Sequence, residues 1–510
     1  MKKRILCSII SGILLILSFP PFGLGFLAWF ALVPLMFAAA GQRARDGFFT
    51  GLLAGFVFYV GTVYWVVNSM YFYGGVPVWI SVPVMLLLAA YMALYFGAFC
   101  VFFSQTGRVG GFAALAFSPA VWVALEYLRA HLLTGFPWIL LGYSQTPYLP
   151  VIQIADITGV YGISFVIVIV NAAVFLYVKS VMAKEPYRPV REAVVALGIL
   201  ISVFSYGLMR MKQVDADALS WRGINVAAAQ GNIDQSVKWD PARQKETTEI
   251  YRGLTKEASA LGASLIVWPE TAAPFFLGED SPQTEFVRGV ARETNSYILA
   301  GTLRSDYSME RHGLEYFNSA VLITPGGEFK GRYDKTHLVP FGEYVPLKRF
   351  LPFVKKLTAG VGDFSEGPGP VPIKFNGEGI GILICYEAIF PEISRGAVKN
   401  GATLLANITN DAWFGRSSAP YQHFDMTVMR SVENRIYTVR SANTGISGFI
   451  DPVGRVVKKS GLFQRETLGA EVRLRRGGYT FYTVNGDIFA YGCLALSGLF
   501  VLSRLLRRRR

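Results

Sequence analysis

Seven apolar runs fill the first 210 residues of this chain, near 5–19, 24–40, 49–70, 79–103, 112–128, 160–178 and 193–209, and an eighth lies near 488–506. A bilayer's hydrocarbon core takes roughly 20 helical residues to cross. Backbone amides inside lipid must bond to one another, so runs of this kind are expected to form helices. The chain therefore reads as eight transmembrane helices with one long aqueous stretch between the seventh and the eighth. Of its 510 residues 52% are hydrophobic and only 16% charged, which suits a membrane protein better than a soluble one.

The formal net charge of +14 could suit a nucleic-acid binder, but its placement suits a bilayer. Lys2, Lys3 and Arg4 precede the first span, Arg43 and Arg45 follow the second, and Arg108 follows the fourth. Lys179, Lys184, Arg188 and Arg191 follow the sixth, and Arg507 to Arg510 end the sequence. The alternate loops, 20–23 and 71–77, hold no Lys or Arg. Positive residues favour the cytoplasmic side, so both ends are placed there and the long stretch outside. A cleaved signal peptide would share the basic start, but Ser18-Phe19-Pro20-Pro21 lacks a small-x-small cleavage site. The partner expected from this pattern is a lipid bilayer, with no nucleic acid.

From about Trp221 to Tyr479 the apolar runs shorten to strand length. Residues 224–230, 264–268, 297–303, 320–324, 380–385 and 403–408 read as strands, and 241–261, 282–294, 391–400 and 421–440 as helices. Proline opens the first three helices, where its missing N–H is harmless. Alternating strands and helices imply helices layered on sheets. Pro325-Gly326-Gly327 and Asp451-Pro452-Val453-Gly454 read as hairpin turns, so the sheet is expected to be mixed. The domain boundaries follow: a seven-helix membrane bundle over 1–215, an α/β domain over 220–480, and an eighth helix with a basic tail over 486–510.

Three short motifs in the α/β region carry reactive side chains. Glu270 follows the strand Ser264-Leu265-Ile266-Val267-Trp268 and its terminating Pro269. Lys335 lies in Tyr333-Asp334-Lys335-Thr336-His337, between a glycine hairpin and the loop Pro340-Phe341-Gly342. Cys385 ends the strand Gly379-Ile380-Gly381-Ile382-Leu383-Ile384. Of four cysteines, Cys7, Cys100 and Cys493 fall in the spans, so Cys385 has no disulfide partner in its own domain. A buried carboxylate is commonly an ion-pair partner or helix cap, and a loop lysine is commonly solvated. A carboxylate, an amine and a thiol at strand ends are together the parts for acyl transfer through a thioester.

In these contexts the Glu270, Lys335 and Cys385 set resembles the carbon–nitrogen hydrolase (nitrilase) superfamily. With eight spans around it, the whole chain resembles the family of bacterial apolipoprotein N-acyltransferases. Gln230-Gly231-Asn232, the run from Lys335 to Pro346, Asn407 to Gly415, and Arg440 to Ser447 carry the likeness further. The resemblance implies an α/β domain of four layers, αββα, inserted between helices seven and eight. It implies Cys385 as nucleophile, Glu270 as general base and Lys335 as electrostatic stabiliser. Glu343, Tyr386 and Glu387 match positions that support the site, and Trp239 a loop position near it. The implied reaction moves an acyl chain from a membrane phospholipid to the α-amino group of a lipoprotein's diacylglyceryl-cysteine. The implied place is the bacterial inner membrane, with the catalytic domain facing the periplasm.

The stretch 341–356 alternates apolar with basic residues, and Phe341, Phe350, Leu351 and Phe353 suit a membrane-facing lid, or equally an ordinary amphipathic surface helix. His131, His312, His337 and His423 show no ligand spacing, so no metal is expected. No other cofactor is expected either, since no GxxxxGK[ST] motif occurs and an ester donor needs no nucleotide. The chain is expected to act as a monomer. Two rivals remain: a tethered amidase using the same three residues with water as acceptor, and a transporter with an outward sensor domain. A tether needs one span. A transporter should carry charges or broken helices at the midplane, whereas Glu126 and Arg129 lie at the outer end of the fifth span and Asn68 and Asn171 are only polar.

Overall fold

A computed structural model describes residues 1–106, 111–184, 189–278, 280–309, 312–345 and 363–508. The chain forms two compact units, Met1–Val67, Val78–Lys212 and Asn485–Arg510 in one, and Asn68–Pro77 and Gln213–Val484 in the other.

Among the described residues five helices are long and apolar enough to cross a membrane: Ala44–Val63, Val78–Gln105, Phe112–Thr134, Val160–Met182 and Val190–Ala218. They cover expected runs three to seven. The first run forms the helix Lys2–Ser18, and the last forms Ile488–Arg508. The second run is not one helix. It breaks into Gly25–Leu27, Ala28–Ala31 and Val33–Ala39. Asn171 stands at the break, where its Oδ1 accepts from Leu32 N at 2.9 Å and its Nδ2 donates to Ala28 O at 2.9 Å. The third run also stops early: its helix ends at Val63, and Asn68 and Ser69 lie in the other unit, each donating to Trp413 O.

The other polar residues of the bundle serve backbone groups in the same way. Glu126 accepts from Leu141 N at 2.7 Å, and Arg129 donates to Phe136 O and Trp138 O at 3.1 and 2.9 Å. Hydrocarbon offers no water to such groups, so a side chain must replace it. These bonds give all four polar candidates a structural role, which removes the sequence argument for a transport path.

The second unit is built of two sheets. Among the described residues its strands are β1 Arg222–Gln230, β2 Leu265–Val267, β3 Ala273–Phe276, β4 Tyr297–Ser308, β5 Gly313–Ile323 and β6 Phe329–Asp334. There follow β7 Ile373–Phe375, β8 Glu378–Ile384, β9 Leu404–Thr409, β10 Thr438–Ala442, β11 Gly448–Ile450, β12 Val456–Lys459 and β13 Glu466–Leu474. One sheet runs β13-β1-β2-β4-β5-β6 with β3 beside β4, and the other runs β12-β11-β10-β9-β8-β7. Both are mixed: β1, β2 and β4 pair in parallel, while β5 and β6 form the antiparallel hairpin of Pro325-Gly326-Gly327. The turn at Asp451 to Gly454 joins β11 to β12, also antiparallel.

Period-two alternation assigns each strand's two faces to different layers. Val226, Val267 and Leu299 of the first sheet meet Ile380, Ile382, Ile384 and Ala406 of the second in one dry core between the sheets. The opposite residues Ala227, Ile266 and Ile298 pack under the helices Gln244–Ala260 and Pro282–Thr294. On the far side, Pro391–Lys399 and Ala419–Asn434 cover the second sheet. A Cβ on Gly381 of β8 would sit 2.9 Å from the Cβ atoms of Ala397 and Ala402, so glycine lets that helix approach its strand closely. The layers run αββα.

One helix was expected too long. It ends at Asn434, Arg435 turns left-handed at φ 49°, and residues 438–440, expected as helix, belong to β10, Thr438–Ala442. Ala419–Asn434 is buried almost throughout, so its pattern offers no polar face to mark the stop.

Candidate active site

The strand ends of both sheets deliver the reactive side chains into one buried cluster. Glu270 follows β2, is 7% exposed, and is held at both oxygens. Asn318 Nδ2 of β5 donates to its Oε1 at 2.7 Å, and Asn410 N, just after β9, donates to its Oε2 at 2.9 Å. Lys335 follows β6, and its N–H donates to Asn318 O at 2.9 Å. Its ammonium donates to Glu343 Oε1 at 2.9 Å and lies 3.9 Å from Glu270 Oε1. Asn318 Nδ2 also donates to that Glu343 oxygen at 3.0 Å, while Val339 N bonds the other. One amide and one ammonium thus tie two carboxylates together.

Cys385 ends β8 in a left-handed conformation, φ 51°, where the strand turns into a 3-10 turn, Cys385–Ile389. A non-glycine residue rarely adopts that backbone, and such strain collects at functional sites. Burial pushes its thiol well above the ordinary range, the Glu270 carboxylate adds to this, and the Lys335 ammonium opposes both. Burial likewise raises the Glu270 carboxyl against the pull of Lys335. Burial pulls Lys335 down, but the Glu343 and Glu270 carboxylates outweigh it and hold the amine above its usual value. At neutral pH the cluster holds a charged ammonium and an unionised thiol beside a carboxylate primed to take a proton.

Glu387 fixes the distance between the two loops. Its Oε1 accepts from Tyr333 Oη, Thr336 N, Thr336 Oγ1 and His337 N, and its Oε2 accepts from Ile384 N at 2.7 Å. One buried carboxylate therefore clamps the Lys335 loop to the Cys385 turn. Tyr386 is buried and packs edge-on against Phe390. Trp239 stands apart: it is 40% exposed, at the surface beside Lys238. Phe341 is also exposed, while Phe350, Leu351 and Phe353 lie outside the described residues.

Sequence reasoning missed several members. Asn318 could have been noticed as half of a polar pair, Asn318-Ser319, inside the apolar run of β5. Lys238, buried beneath Glu270, donates to Glu270 O at 3.1 Å and Thr271 Oγ1 at 2.5 Å. Burial pulls its amine down to about 8, against the nearby Glu270 and Cys385. Behind Cys385, His423, Asp411 and Arg440 form a second buried cluster; Asp411 and Arg440 lie in segments that carry the family likeness, but nothing local joins them to one another or to His423.

The family model for carbon–nitrogen hydrolases matches residues 225–480, the span of these two sheets and their helices. The fold and the match together define the unit as a carbon–nitrogen hydrolase domain. The family model for the apolipoprotein N-acyltransferase N-terminal domain matches residues 11–173. An apolipoprotein N-acyltransferase of Geobacter metallireducens is 46% identical over 511 residues, covering 100% of this chain and 96% of that protein. Proteins of the same name from Pasteurella multocida and Haemophilus ducreyi are 34% and 33% identical, covering 100% and 97% of this chain and 98% and 95% of theirs. The chain belongs to the apolipoprotein N-acyltransferase family of enzymes. Its carbon–nitrogen hydrolase domain fits cysteine-based acyl transfer, and the full-length likeness to N-acyltransferases favours that reading over simple hydrolysis.

Proposed function

We propose that the chain moves an acyl chain from a membrane phospholipid, through a thioester on Cys385, to the α-amino group of a lipoprotein's N-terminal diacylglyceryl-cysteine. The observation that carries this is the buried cluster at the strand ends, where Lys335 Nζ lies 3.9 Å from Glu270 Oε1 and Cys385 stands buried on its left-handed turn. Cys385 Sγ attacks the ester carbonyl carbon while Glu270 takes its proton. Lys335 and the backbone N–H beside Cys385 meet the oxyanion, a contribution of about 3–4 kcal/mol per donor in comparable sites. The ester C–O bond breaks, the lysophospholipid oxygen takes the proton from Glu270, and the thioester remains. The lipoprotein amine then attacks, Glu270 accepts its proton, the C–N bond forms, and the departing sulfur is reprotonated. A raised base facing a raised thiol suits this order, because the proton leaves as sulfur attacks.

Both substrates carry acyl chains, which gives the membrane bundle its purpose. We place the bundle at 1–215, the catalytic domain at 220–480 and a last helix at 486–510, eight spans in all. The enzyme is a monomer in the bacterial inner membrane with its catalytic domain toward the periplasm. The support for that orientation is the Lys and Arg bias of the short loops.

The test is a mass spectrum of the purified chain after mixing with phospholipid alone. One acyl chain should appear on Cys385, vanish with hydroxylamine, and never form in Cys385→Ala. Acylation that persisted in that variant would sink the thioester route.

A further inference from the structure

The reaction needs a backbone N–H held at the developing oxyanion, and the structure places an unassigned device directly behind it. His423 lies on the helix Ala419–Asn434, fully buried, and its Nε2 meets Cys385 O at 3.0 Å. A carbonyl only accepts, so Nε2 carries the proton. The ring's Nδ1 lies 3.0 Å from Arg440 Nη2 and 3.1 Å from Asp411 Oδ1. Burial first and the Arg440 guanidinium second hold the ring below its ordinary range, so it is neutral and Nδ1 accepts from Arg440.

Arg440 is itself fixed in place. It donates to Asp411 Oδ2 at 2.7 Å, Ile446 O at 3.1 Å, Thr427 Oγ1 at 3.2 Å and Asn407 Oδ1. Thr409 Oγ1 donates to Asp411 Oδ1 at 3.0 Å. Asp411, His423 and Arg440 are each at most 1% exposed. Sequestering two charges and an imidazole this deeply is costly, and well-packed apolar side chains of similar volume would often be as stable. Something other than packing is served.

The peptide between Cys385 and Tyr386 is trans and planar, so Cys385 C=O and Tyr386 N–H leave its opposite edges. Fixing the carbonyl fixes the direction of the N–H. A hydrogen bond to the carbonyl also polarises the same amide and strengthens its N–H as a donor. We infer that the Asp411–Arg440–His423 cluster is a positioning device that aims the Tyr386 N–H at the oxyanion formed when Cys385 attacks an acyl group. This rests on Cys385 being the nucleophile of the proposed reaction. The left-handed backbone at Cys385, φ 51°, is uncommon for a non-glycine residue, and a hydrogen bond to its carbonyl helps hold the turn there.

The test compares two reactions of the same thiol in the full chain. Thioester formation from phospholipid passes through an oxyanion, whereas alkylation of Cys385 by iodoacetamide does not. His423→Met removes the donor at similar volume, and His423→Gln restores one. The methionine variant should form the thioester ~10²-fold more slowly at unchanged KM, the scale of losing an oxyanion donor, and alkylate at the native rate. The glutamine variant should recover most of the acylation. Native acylation in His423→Met overturns the inference, as does an equal fall in both reactions or a glutamine variant no faster than methionine. If the methionine variant fails to fold, Asp411→Asn, which keeps volume and weakens the anchor of Arg440, must slow acylation while sparing alkylation. Equal rates there overturn it as well. A chain with native His423 that alkylates but never forms a thioester would overturn the reaction itself and this inference with it.

Discussion

Glu270 is tied down by an amide from each sheet, and that is what makes a single-atom substitution informative. Glu270→Gln keeps the shape and removes the base, so both half-reactions should slow by the ~10²–10⁴-fold typical of general-base loss. Lys335→Ala should lower kcat while sparing phospholipid binding, because its ammonium serves the reacting centre, at the oxyanion and beside Glu270, rather than the lipid. Single-turnover rates of thioester formation and of its transfer to amine measure both, and near-native turnover in Lys335→Ala would return the lysine to a purely structural ion pair with Glu343. A third residue sets a pH window. Burial and the Lys335 ammonium hold the His337 ring down to about 4, against a reference of about 6.5. Between those values the unfolded chain binds the extra proton, so stability falls as pH drops from about 6.5 through about 4 and is flat for this group above it. Denaturation midpoints across that window should slope less in His337→Asn, and an unchanged slope would assign the acid sensitivity to other groups. Glu270, Lys335 and Cys385 were legible in sequence because each sits in a short motif just after a strand, whereas Glu343 and Glu387 were legible only through the family resemblance. Asn318, Lys238 and His423 were not, since their partners lie far along the chain and each looks locally like an ordinary strand, helix or loop residue, while Asp411 and Arg440 lay in segments of the family likeness with no role attached to them.

At the scale of elements, the clamp made by Glu387 joins the loop after β6 to the turn after β8. Its carboxylate accepts five hydrogen bonds, from Tyr333, Thr336 twice, His337 and Ile384, and can donate none while ionised. Glu387→Gln turns one acceptor oxygen into an amide NH2 facing N–H groups, leaving buried donors unmet at about 1–3 kcal/mol each. We expect a lower Tm together with slower thioester formation, because loosening this clamp moves Lys335 relative to Cys385. A variant with native Tm and native acylation would mean that the two loops hold their spacing without it. The strands leading into the clamp were legible from their apolar runs and hairpin turns. The edge strand β12 was not, as all four of its residues are exposed and carry no alternation. Nor was the passage from the helix Ala419–Asn434 to β10, because the left-handed turn at Arg435 uses no glycine and leaves no mark in the sequence. Arg440 was therefore placed on the end of a helix, although it belongs to a strand beside β9, within reach of Asp411.

For the whole molecule, charge distribution carries the prediction that composition alone could not. A net charge of +14 spread evenly would say little, but the basic residues here cluster at Lys2 to Arg4, Arg43 to Arg45, Lys179 to Arg191 and Arg507 to Arg510, while loops 20–23 and 71–77 have none. Hydrophobic length makes helices in the membrane, and this bias decides which way they face. Among the described residues five helices meet the length and hydropathy a span requires, while the run at 24–40 shows that apolar length alone does not fix one straight helix. The orientation we propose puts Cys385 outside the inner membrane. A membrane-impermeant thiol reagent should therefore modify Cys385 in cells whose outer barrier alone is opened, using a chain in which Cys7, Cys100 and Cys493 are serine. Hydroxylamine treatment beforehand removes any thioester that would hide the thiol, and Cys385→Ala supplies the blank. Modification that began only once the inner membrane was lysed would invert the topology and place the acyl transfer on the cytoplasmic face.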